Sequence, residues 1–146
     1  MADARVESIM DGVVTTLTNL TTTGSNIKRS RIYPWSESEL PAISVYMGQD
    51  VPTEELQSGL LNWELNLAVE SHVQENDDID QLLNTIRKEV HFALMATPQQ
   101  GLGYVITTWV VGANEPQTSD AGQQPIASQR LDFIIKYRTS RTALDA

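Results

Sequence analysis

Val6, Ile9, Met10, Val13, Leu17 and Leu20 recur at intervals of three and four, which predicts an amphipathic helix over about residues 2–20 with a single apolar stripe. Gly24, after three consecutive threonines, is the expected stop signal. A short strand follows over 26–33, with Lys28, Arg29 and Arg31 keeping one side wet at the edge of a sheet, and Pro34 ends it. Pro41 opens the next strand, where Ile43, Val45 and Met47 oppose Ala42, Ser44 and Tyr46 until Gly48 closes it. The clearest alternation comes after an acidic loop over 48–59: Leu61, Trp63, Leu65, Leu67 and Val69 on one face, Asn62, Glu64, Asn66, Ala68 and Glu70 on the other. One face is core, and the other is wet or covered by another subunit.

A second helical stripe runs through Ile79, Leu82, Leu83, Ile86, Val90, Ala93 and Leu94, with Asn76 or Asp77 as N-cap and Thr97-Pro98 as terminator. Asp77, Asp78 and Asp80 crowd its start and Arg87, Lys88 and His91 lie nearer its end, as the helix dipole favours. Two more strands complete the pattern. One covers 104–111, with Val105, Thr107, Trp109 and Val111 alternating; the other covers 127–139, with Leu131, Phe133, Ile135 and Tyr137 on the apolar side. Between them lies a polar loop over 112–125. The order α-β-β-β-α-β-β predicts an α+β domain: one mainly antiparallel twisted sheet of four to five strands carrying two amphipathic helices. Trp63 and Trp109 are expected in its core. Trp35, in a polar turn, is a candidate anchor between subunits.

At 146 residues the chain fits one domain, 1–146, with a short tail over 140–146. It contains no cysteine, so disulfides, thiolate metal sites and thiol catalysis are all excluded. No stretch of 18 apolar residues and no signal-like start is present, which predicts neither membrane insertion nor secretion by that route. The sequon Asn19-Leu20-Thr21 is then a chance match.

The net charge of −9 is concentrated in residues 48–80, which hold nine acids and no Lys or Arg. That block repels phosphate and attracts basic partners, so sequence-specific nucleic-acid binding is not expected. Arg130, Lys136, Arg138 and Arg141 form the one basic cluster, too small to specify nucleic acid but suited to meeting the acidic block of a neighbouring copy. Such a contact is heterologous and closes into a ring when the rotation permits.

The residues offer no catalytic or cofactor-binding constellation. Glu64 and Glu70 share a strand face but lie roughly 20 Å apart, too far for a catalytic carboxylate pair. Asp78-x-Asp80 lacks the glycine and the later glutamate of a calcium loop. His72 and His91 have no second nitrogen ligand at metal spacing, and no serine stands in a strained strand-to-helix turn. Gly101-Leu102-Gly103 reads as a turn, not a phosphate cradle. No enzyme, metal or cofactor is expected. A small hydrolase with an acidic cleft would be distinguished by two carboxylates within about 10 Å of each other in a pocket.

The order Arg31-x-Tyr33-Pro34, then Glu39-Leu40-Pro41-Ala42-Ile43-Ser44-Val45-Tyr46, an acidic loop and the alternating strand resembles the tail-terminator proteins of long-tailed bacteriophages, the minor tail protein U type. The run from Arg130 through Leu131, Asp132, Phe133, Ile134 and Ile135 to Tyr137 resembles their terminal strand. The 112–125 loop and the residues after Ser140 have no counterpart in the pattern. The resemblance implies a structural virion protein at the head–tail junction, assembled in the bacterial cytoplasm. It would form a ring, as a hexamer in that family, that caps the tail tube, stops its growth and joins the head. Its partners would be itself, the tail tube protein and a head-completion or neck protein. DNA would pass through the acidic lumen without specific binding, and no membrane is involved. Another neck or tail ring component, or a non-viral interaction module, is the alternative. Arg31, Trp35, Asp50, Glu54, Glu55, Arg130, Lys136, Arg138 and Arg141 are the candidate subunit or tube contacts, with Asp50, Glu54 and Glu55 on the loop that reaches a neighbour.

Overall fold

The computed structural model describes residues 2–30, 35–74, 78–119 and 126–146. In chain order the elements are α1 (Arg5–Leu17), β1 (Ile27–Arg29), a 3-10 turn (Glu37–Glu39), β2 (Ala42–Glu55), β3 (Leu60–Gln74), α2 (Ile79–Ala96), β4 (Val105–Ala113), β5 (Gln117–Ser119) and β6 (Ile126–Ser140). The sheet runs β1-β2-β3-β6-β4, with β5 also paired to β6. Only β1 with β2 is parallel; every other described pairing is antiparallel. The α+β expectation holds, with one strand more than expected because β5 forms inside the 112–125 loop.

The two helical stripes and the odd-numbered faces of β3 and β6 meet in one core. Ile9, Met10, Val13 and Leu17 of α1 and Leu83, Ile86, Val90 and Leu94 of α2 are buried with Leu65, Leu67, Val69, Leu131, Phe133, Ile135 and Tyr137. Burying each such side chain contributes about 1.5–3 kcal/mol, so this layer dominates the stability. The alternation of β3 is unbroken because it pairs residue for residue with β6 from Leu60↔Ser140 to Gln74↔Ile126.

Several boundaries differ from the sequence pattern, each for a local reason. The first helix stops at Leu17, not Leu20: Thr18 turns extended and its hydroxyl donates to the Val14 carbonyl at 2.6 Å. Gly24, with φ +56°, is not the stop signal but closes a small turn, its N–H donating to Leu20 O at 2.8 Å. α2 starts at Ile79 behind Asp78, whose carbonyl accepts from Leu82 N; the expected caps Asn76 and Asp77 lie outside the described residues. The segment after Ser140 is folded back: Arg141 N donates to Gly59 O at 2.9 Å and Arg5 N to Leu144 O at 2.8 Å.

Gly48 does not close β2. The strand continues to Glu55, absorbing one extra residue between Met47↔Leu67 and Asp50↔Leu65 and another between Pro52↔Trp63 and Glu54↔Asn62. A Cβ at Gly48 would stand 3.0 Å from Asn66 O and 3.1 Å from Asn66 Cβ, so the glycine serves close backbone approach within the first bulge. The expected acidic loop is therefore most of a strand, with its turn confined to residues 56–59.

Trp109 is not in the core. Val105 pairs with Tyr137 but Thr107 pairs with Lys136, so Ile106 is an extra residue that reverses the faces of β4 from Thr107 to Val110, until a second extra residue before Gly112. Thr108 turns inward at 1% exposure and Trp109 outward at 50%. Trp63 does pack against the core, its ring stacked on Tyr137 with centroids 6.2 Å apart and its indole N–H donating to Thr139 Oγ1 at 2.9 Å.

Candidate assembly surface

The helices cover one face of the sheet and leave the even-numbered face of β3 and β6 without a helical layer. On this side Trp109 of β4 lies beside Ile134, and Lys136 Nζ stands 4.0 Å from the centre of the Trp109 ring. β4 is an edge strand of the sheet and carries further exposed apolar side chains, Ile106, Val110 and Val111. Such an edge invites pairing with another chain; the extra residues at Ile106 and between Val110 and Gly112 make it irregular and blunt that tendency.

β2 and β3 form a long hairpin arm, with β3 paired to β6 along its whole length, and the acids expected on a loop divide along it. Glu54 and Glu55 are exposed near the tip: Glu54 accepts from Asn62 Nδ2 at 3.2 Å, and Glu55 pairs with Arg141 Nη1 at 2.8 Å. Asp50 differs, because the first bulge rotates it onto the core face. There Tyr137 OH donates to Asp50 Oδ2 at 2.5 Å, and Asp50 Oδ1 is buried with no hydrogen-bond partner among the described residues. Burial pushes its carboxyl above the ordinary value, opposed by the Tyr137 hydrogen bond; burial and the same carboxylate push the Tyr137 hydroxyl up strongly. Asp50 is thus a fixed part of the arm's base, not a side chain free to reach a neighbour.

The basic cluster is largely neutralised within the chain, since β6 lies directly beside acidic β3. Lys136 pairs with Glu64 at 3.4 Å, Arg130 with Asp132 at 2.8 Å and Arg141 with Glu55. Arg138 donates to Asn62 Oδ1 at 2.8 Å and has no carboxylate partner among the described residues. Arg31 lies outside the described residues. Trp35 is 8% exposed, with its indole N–H donating to Ser44 Oγ at 2.8 Å, so its ring is buried on this chain's own sheet and is not presented as an anchor.

That tryptophan covers a cluster not foreseen in the sequence. Ser44 Oγ lies 3.4 Å from His72 Nε2, and Glu70 Oε1 lies 3.6 Å from the same nitrogen. A nucleophilic relay needs the carboxylate on the other ring nitrogen, orienting the base toward the hydroxyl. Here hydroxyl and carboxylate share Nε2, and Ser44 is 1% exposed, so the cluster ties Trp35 to the sheet. The signal for it was available as alternation: Ser44, Glu70 and His72 all fall on the even faces of adjacent strands, in the register Ser44↔Glu70 and Ala42↔His72. Among the described residues no three His, Cys, Asp or Glu side chains converge on a metal position, and no helix is long and apolar enough to cross a membrane.

At the other edge, Arg29 holds β1 to α1 through Glu7 at 2.5 Å and Asp11 at 3.3 Å. The hydrogen bond and charge of Arg29 lower the pKa of Glu7. These contacts hold β1 beside β2, which it pairs from Ile43 to Val45.

No family model matches the sequence, and no curated protein matches it either. Among solved structures the chain is similar to one in the virion of a native gene transfer agent particle, with a TM-score of 0.55 and 12% identity over 93% of this chain and 92% of that one. At that identity the likeness is one of fold.

Proposed function

We propose that this chain is a structural virion protein that assembles as a ring at the head-proximal end of a phage tail tube, stopping tube growth and offering the surface to which the head joins. The observation that carries the reading is the fold shared over 93% of the chain with a component of a gene transfer agent virion. The Tyr33-Pro34 and Leu40-Pro41-Ala42 pattern before the long alternating strand narrows it to the tail-terminator type. A helix-free sheet face, the β4 edge and the end of the β2–β3 hairpin with exposed Glu54 and Glu55 are surfaces suited to assembly. The chain acts by position and not by catalysis, and its acidic balance keeps passing DNA from adhering.

Electron microscopy of the purified protein, alone and mixed with tail tubes, tests the role. Rings seated at one tube end are expected, together with tubes of uncontrolled length when the gene is deleted. Normal-length, head-joined tails in the deletion would overturn the terminator role, and rings found along a tube or on the head side alone would favour a different neck or tail ring component.

A further inference from the structure

Where the start of α1, the start of β4 and the end of β6 meet, a groove of about 430 Å³ has Arg5, Leu60, Tyr104, Ile106, Arg138 and Ala146 among its lining residues. Its two guanidinium groups are held in place. Arg5 lies 4.5 Å from the centre of the Tyr104 ring and donates from Nη1 to Arg138 O at 2.8 Å, while Arg138 is fixed through Nε to Asn62. Neither has a carboxylate within ion-pair reach among the described residues, although acids outnumber Lys and Arg by 19 to 10 in this chain. Two fixed guanidiniums beside an aromatic and aliphatic wall suit a carboxylate carried on a protein segment, because the fork of donors grips the acid and the wall accepts its neighbours.

Asp78 and Asp80 at the start of α2 are exposed and have no cationic partner among the described residues. They cannot reach the groove of their own chain. β3 begins at Leu60 in the groove wall and runs to Gln74, roughly 45 Å at a strand's rise per residue. The four residues from Gln74 to Asp78 can recover at most about 14 Å, leaving the acids on the order of 30 Å away. Groove and acids thus sit toward opposite ends of the molecule, and only a second copy brings them together.

We propose that the Arg5–Arg138 groove of one copy receives the Asp78–Asp80 start of α2 from the next, a head-to-tail contact of the kind that generates a ring when the rotation closes. This rests on the ring reading above and names one of its subunit contacts.

The test is the mass of the full chain in solution, by sedimentation and mass photometry, at 50 and 500 mM salt. The wild type is expected to associate at low salt and loosen at high salt. Arg138→Glu, and separately D78N/D80K, are each expected to raise the association midpoint at least tenfold. Asn tolerates the left-handed backbone of residue 78 and Asp80 is exposed, so the second variant loses only the small dipole contribution of Asp80 and keeps the fold even if the groove variant does not. Combining Arg138→Glu with Asp80→Lys restores association if the two sites meet. Oligomers unchanged by D78N/D80K overturn the contact while leaving the ring itself standing. A wild type that stays monomeric at 50 mM salt, or a swap that fails to restore association, also overturns it; whether the protein caps tubes is decided separately by the microscopy.

Discussion

Asp50 and Leu65 face each other across two strands, and the contrast between them shows how much one position depends on its face. Leu65 is fully buried, so Leu65→Ala is expected to cost about 2–5 kcal/mol, whereas Asn66→Ala on the exposed side costs well under 1 kcal/mol; equal thermal shifts for the two would show the facing to be wrong. Asp50 carries a penalty, because burial raises its carboxyl pKa in the folded state above the value of 3.8 it has when unfolded. The folded protein then binds that proton more readily than the unfolded chain, so ionising Asp50 costs stability at neutral pH, and the cost disappears as pH falls below the unfolded value. Asp50→Asn keeps an acceptor for Tyr137 and removes the charge. Its denaturation midpoint is expected above wild type at pH 7, with the gap narrowing toward pH 4; a gap that widens on acidification would contradict the assignment. Nothing in the alternation marks Asp50 for the inside, since an even-numbered residue of β2 belongs outside until the bulge intervenes.

At the level of elements, bulges decide what faces what. The long uninterrupted alternation in β3 and β6 was legible because both strands are paired throughout in one register, so a period of two survives from end to end. In β2 and β4 the first of two extra residues reverses the positions up to the second, which sends Asp50 inward and Trp109 outward. Gly48 is the hinge of the first reversal. Gly48→Ala is expected to destabilise by about 1–3 kcal/mol, because its Cβ would meet the Asn66 backbone at 3.0 Å, where no flexible side chain can give way. Urea denaturation measures this, and an unchanged midpoint would mean that the arm shifts freely. The helices were legible in existence and apolar face, less so at their ends, where Thr18 and Asp78 settle the boundary through local hydrogen bonds and backbone angles.

For the whole molecule, the proposed tail-terminator role makes the hairpin arm the place to test assembly apart from folding. Glu54 and Glu55 are exposed near its tip, so E54K/E55K is expected to leave the unfolding free energy within about 1 kcal/mol of wild type while tails lengthen or fail to join heads. Normal tails with that variant would remove the arm tip from the contact. Asp50 is left out of this variant because reversing it would disturb the arm's base, and a failed fold would imitate a failed assembly. The basic cluster is a similar case: β6 beside β3 pairs Lys136 with Glu64 and Arg141 with Glu55 inside one chain, so among its cations Arg138 is left without a carboxylate among the described residues. Arg5, which joins it in the groove, carried no sequence signal, because 133 residues separate the two and only the folded termini bring them together.

By itself the sequence determined the class of the fold, the two helical stripes, the core face of β3 and β6 and the lack of any thiol chemistry, since each follows from local periodicity or from composition. The tertiary structure alone decided which charges are neutralised, which tryptophan is buried and where two arginines converge. Those outcomes depend on strand order, on single inserted residues and on contacts between distant segments. A periodicity confined to one element carries no record of its neighbours, and a charge is free or paired only with respect to what the fold sets beside it.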